Sequence, residues 1–81
     1  MSERLLWQGQ KQEKELAAEG LKISIEGLRS SLRIALNPHM KVGEIDPKVV
    51  SQQSFELSEK VIKYKALQEE IKSINQSLGI E

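Results

Sequence analysis

A chain of 81 residues, 38% hydrophobic and 30% charged, is long enough for one small domain and too short for a multidomain enzyme with a deep pocket. Its 12 basic and 12 acidic residues cancel, and neither half is a polyelectrolyte, so the basic stripe that displaces counterions from phosphates is missing and no nucleic-acid partner is expected. Cysteine is absent, which removes a disulfide frame, a thiolate nucleophile and a zinc cluster; packing alone must hold the fold.

The chain opens Met1-Ser2-Glu3-Arg4, passes through Leu5-Leu6-Trp7 and turns polar. This is far short of a signal-peptide apolar region, and no apolar run approaches the roughly 18 residues of a membrane span. A cytoplasmic chain without membrane contact is the expectation. Ser2 is a suitable cap for a first helix over about 3–36, a stretch free of proline and dense in Glu, Lys, Gln, Leu and Ala. Pro38 disfavours helical geometry in Asn37, so the helix should stop there.

The loop, 37–46, holds His39 and the apolar residues Met40, Val42 and Ile45. These three are expected to cap the end of the fold, with a partner contact as the alternative. Asp46-Pro47 reads as a helix start: the carboxylate can accept from amides of the first turn, and proline at the first helical position gives up no bond. Ile45 and Val50 are spaced for a hydrophobic staple across that cap. The second helix then runs over 47–78. Gly79 can take the left-handed conformation that ends it, and Ile80 can fold back on Ile74.

Within the first helix Trp7, Lys11, Lys14, Ala18, Leu21, Ile25, Leu28, Leu32 and Ala35 follow an unbroken four-three alternation, the heptad pattern of a packed seam. The second gives Val50, Ser54, Leu57, Val61, Tyr64, Leu67, Ile71, Ile74 and Leu78, with one short step after Tyr64. If the chain reverses between the prolines, Ala35 meets Val50, Leu21 meets Tyr64, Trp7 meets Leu78, and the residue numbers of each facing pair add to the same total within one. The fold class follows: all-α, two long helices in an antiparallel coiled-coil-like hairpin. The stems of Lys11 and Lys14 should cover Ile74 and Ile71 while their ammonium groups reach water.

A two-helix hairpin buries one stripe per helix, a marginal core for this size. A second stripe on the first helix, Leu6, Gly9, Glu13, Leu16, Gly20, Ile23, Gly27, Ser30 and Ile34, repeats the spacing on nearly the opposite face. Each mid-helix glycine costs about 1 kcal/mol against alanine, so Gly9, Gly20 and Gly27 need a reason, and close approach of another backbone supplies one. Phe55 and Ile62, one heptad apart, also lie off the seam. The expected partner-binding residues are therefore Leu16, Gly20, Ile23, Gly27, Ile34, Phe55 and Ile62. The expected partner is a second copy, giving a dimeric four-helix bundle, or another helical protein.

Chemistry-bearing motifs are sparse. His39 is a lone loop histidine and is given no role. The glutamates alternate with lysines at helix-surface spacing and read as solvated faces. There is no Glu-x-x-His pair, phosphate loop or nucleophile elbow. No catalysis, cofactor, metal or small-molecule substrate is expected.

Residues 46–64, with Asp46-Pro47-Lys48-Val49-Val50, then Ser54-Phe55-Glu56-Leu57-Ser58 and Val61 to Tyr64, resemble the second helix of the short sporulation phosphatases that act on aspartyl-phosphate response regulators. The resemblance implies an antiparallel helical hairpin and a response-regulator partner. Of that family's Ser-Gln-Glu-Leu-Asp signature, Ser54, Glu56 and Leu57 match; Phe55 stands for the glutamine and Ser58 for the essential acid. A neutral hydroxyl cannot replace a carboxylate that orients water, so such a relative would be inactive. The leading expectation is a non-enzymatic interaction or assembly module; inactive phosphatase-like binder and small structural part of a phage or secretion assembly are the alternatives.

Overall fold

Asn37 and Pro38 stop the first helix as their chemistry requires. In the computed structural model, which describes residues 3–79, α1 spans Glu3–Ala35 and α2 spans Pro47–Leu78. One more helical bond, Leu36 N–H to the Leu32 carbonyl at 2.8 Å, closes α1. Beyond it Asn37 turns the chain: its side-chain oxygen accepts from the His39 amide at 2.9 Å and its carbonyl from the Met40 amide at 3.0 Å. A single 3-10 turn, Val42–Glu44, carries the chain to Asp46. There Asp46 Oδ1 accepts from the amides of Lys48 at 3.0 Å and Val49 at 3.4 Å, and Pro47 takes the first helical position.

The far end is closed from both sides. Gly79 adopts the left-handed conformation, φ 71°, and its amide donates to the Gln76 carbonyl at 3.1 Å. The last turn of α2 contains no basic residue of its own. Arg4 supplies one across the hairpin: its guanidinium donates to the Leu78 carbonyl at 3.4 Å, serving an oxygen left open at the helix end and placing a cation at the negative pole of the dipole. The same bond sets the first turn of α1 beside the last turn of α2. The chain thus doubles back fully, in a body 61 × 19 × 14 Å. The capping role of Ser2 and the fold-back of Ile80 fall on residues outside those described.

The two helices pack as an antiparallel hairpin. Every residue of the α1 seam, from Trp7 to Ala35, is at least half-buried. In α2 the covered line differs from the apolar reading. It runs Val50, Gln53, Leu57, Lys60, Tyr64, Leu67, Ile71, Ile74 and Leu78, with Ser54 exposed and Val61 half-buried beside Lys60. This line is a four-three alternation without a short step, and the numbers of its facing pairs with α1 now add to one constant. Period prevails over polarity here: Gln53 opposite Leu32 and Lys60 opposite Ile25 contribute long stems to the seam.

The core is thin. Only Ala18, Ile74 and Leu78 are buried among the described residues. Lys11 and Lys14 lie over this end as their spacing predicts; Lys14 pairs with Glu70 across the seam, and Lys11 lies 3.8 Å from Glu15 one turn on. Such partly exposed pairs add well under about 1 kcal/mol each, so the aliphatic contacts beneath them dominate.

Gln53 Oε1 is buried without a hydrogen-bond partner. Gln53→Leu should therefore raise unfolding stability by about 1–3 kcal/mol, whereas Ile74→Ala should lower it by about 2–5 kcal/mol. Urea unfolding of both variants at one low protein concentration checks the assignment, and destabilisation by Gln53→Leu would contradict the seam drawn through position 53.

Candidate interaction surface

Once the seam is fixed, helix geometry fixes where every other residue points. Leu16 lies two residues from both Lys14 and Ala18, and Ile23 two from both Leu21 and Ile25, so each is turned about 180° from the seam. Gly20, Gly27 and Ile34 sit on the adjoining line of the same outer face. All five are exposed, with Leu16 at 69%, Ile23 at 68% and Ile34 at 72%. Leu6 extends this line toward the helix start and is also exposed.

Phe55 lies midway between Gln53 and Leu57, and Ile62 midway between Lys60 and Tyr64. They too face directly away from the seam and are exposed, at 66% and 68%. The two helices present their backs in opposite directions, so the hairpin brings the five α1 residues together and holds Phe55 and Ile62 apart from them. Ile23 and Ile62 stand at the same height on opposite edges. Sequence reasoning named the seven together as partner-binding residues without assigning the two helices' shares to separate edges. The signal that separates them is the unbroken heptad through Gln53 and Lys60, which reading by apolarity alone passes over.

Nothing lies within 4 Å of the position a Cβ would take at Gly9, Gly20 or Gly27. The hairpin therefore makes no demand for glycine at any of them. Of the loop residues, Met40 is half-buried against the fold, but Val42 is 85% exposed. The cap expected of Met40, Val42 and Ile45 together fails at Val42, because the 3-10 turn it opens carries it clear of the helix ends. His39 is exposed and engages the chain through its backbone.

The flanks of the seam hold shallow, open grooves. The larger, about 500 Å³, is lined by Glu15, Ala18, Tyr64, Gln68, Ile71 and Asn75 and faces solvent along its length. Tyr64 contributes to the seam as its spacing predicts. Among the described residues no group of three or more His, Asp or Glu could hold a metal ion, and no helix is long and apolar enough to cross a membrane. Of the phosphatase-like segment, Leu57 belongs to the seam, while Ser54, Phe55, Glu56 and Ser58 are exposed. The position of the essential acid presents a hydroxyl.

No protein-family model, curated protein or solved structure matches the chain. The surface must be interpreted from its own residues.

Because the space at the glycines is open, Gly20→Ala and Gly27→Ala should each stabilise the isolated hairpin by about 1 kcal/mol through helix propensity. Thermal unfolding at concentrations where the chain is monomeric reads this; a loss of stability there would show that the hairpin itself requires glycine.

Proposed function

We propose that this chain is a non-enzymatic assembly module whose working surface is the outer face of α1, and that its first partner is a second copy of itself. One observation carries the reading: a regular line of large exposed aliphatics, Leu16, Ile23 and Ile34, runs along a hairpin whose own core is thin. Isolated exposed aliphatics are ordinary on protein surfaces. Three of them on one four-three line, on the side of the helix opposite an already packed seam, have the form of a second seam without its partner.

Phosphatase chemistry gains no support from the exposed surface of α2, where Ser58 offers no carboxylate.

Sedimentation should show a mass that rises from one chain to two with concentration, and Ile23→Lys should hold it at one chain while far-ultraviolet circular dichroism keeps its helical signal. A wild-type mass that stays constant across the range would end the self-association reading.

A further inference from the structure

The outer line of α1 is complementary to itself when one copy is reversed against another. Laid antiparallel about a two-fold axis between Leu21 and Lys22, Gly20 of one copy meets Ile23 of the other, Leu16 meets Gly27, and Ile34 meets Gly9. The remaining pair is Glu13 with Ser30, a carboxylate opposite a hydroxyl that can donate to it. Every exposed large aliphatic of the line from Leu16 onward faces a glycine, and every glycine of α1 faces an aliphatic. The symmetry makes each pairing occur twice, as an isologous contact requires.

Other registers lose this match. A shift of one heptad toward the helix end sets Leu16 against Ile34 and leaves Gly9 beyond the facing helix. A shift the other way sets Gly27 against Gly9 and Ile23 against Glu13. A parallel pair sets each residue against its own copy, glycine on glycine and isoleucine on isoleucine. Size alternation therefore selects one arrangement. It also explains the glycines, whose Cβ positions are open in the hairpin: the missing side chains leave shallow sockets over which Leu and Ile of the other copy fit, with the backbones in close approach.

The length of the line fits the same occupant. Residues 9–34 of α1 span about 38 Å at roughly 1.5 Å per residue, and the same segment of a second copy, reversed, covers all of it. We propose that two copies join through α1 alone, antiparallel and in this register, so that the α1 helices form the inner pair of a flat four-helix assembly and the α2 helices its outer edges. This rests on the self-association reading and specifies its geometry. Phe55 and Ile62, on the far edges, take no part in the contact.

A swap of sizes within one chain tests it. Gly20→Ile alone sets isoleucine on isoleucine, and Ile23→Gly alone sets glycine on glycine; each should weaken the dimer at least about tenfold by sedimentation. The double variant Gly20→Ile with Ile23→Gly has the wild-type composition and restores a large residue over a small one at both symmetry-related pairs. Its dimer should return to within about threefold of wild type, with circular dichroism confirming equal helicity, and Ile62→Lys should leave dimerisation unchanged. If the wild type dimerises but the double variant stays as weak as the singles, the register is overturned and self-association stands. Loss of the dimer with Ile62→Lys would move the contact to α2 and overturn the proposal in that way. A wild type that remains monomeric removes both this geometry and the reading beneath it.

Discussion

The structure depends on one constraint, the common period of two helical seams that meet head to tail. Because α1 and α2 both alternate four and three along their covered lines, a single choice of register aligns all the facing pairs from Ala35 and Val50 at the loop to Trp7 and Leu78 at the open end. The caps enforce that register at both ends. Asp46 fixes where α2 begins relative to the turn at Asn37, and the Arg4 guanidinium on the Leu78 carbonyl ties the other end. Sliding one helix by a residue would break that tie and turn the outer residues toward the seam.

The architecture was legible because independent local signals agree: prolines confined to the middle, an Asp-Pro start, a terminal glycine and two long segments of strong helix formers. Asp46 and Gly79 act as their chemistry predicts. Legibility failed where period and polarity conflict. Ser54 is exposed where its neighbour Gln53 is covered, and Val61 shares its cover with Lys60, so the reading drifted by one residue at Gln53. Phe55 and Ile62 lie off the seam as read, and with the seam through Gln53 and Lys60 they point directly away from it. Val42 escaped for a different reason, since the orientation of a short 3-10 turn depends on loop geometry that hydrophobicity does not encode.

Polar residues in the seam explain why so regular a hairpin has so small a core. Lys11, Lys14, Gln53 and Lys60 occupy positions that Leu or Ile could fill, and each substitutes a stem with a polar end for a compact aliphatic group. Gln53 also leaves an oxygen buried without a partner, an arrangement that lowers stability. A fold built this way gains more than most from covering a further apolar face.

The two outer faces differ in their capacity to supply that cover. On α2 the heptad line through Phe55 and Ile62 begins at Lys48 and continues to Glu69 and Gln76, so only two successive turns of the pattern are apolar. On α1 the outer line alternates large aliphatic residues with glycine over most of the helix, and the glycines weaken a helix whose hairpin contacts do not need them. In the proposed assembly those glycines acquire a reason that the hairpin does not give them: α1 would be the helix with two packing faces and the inner member, and α2, with one, would hold it straight.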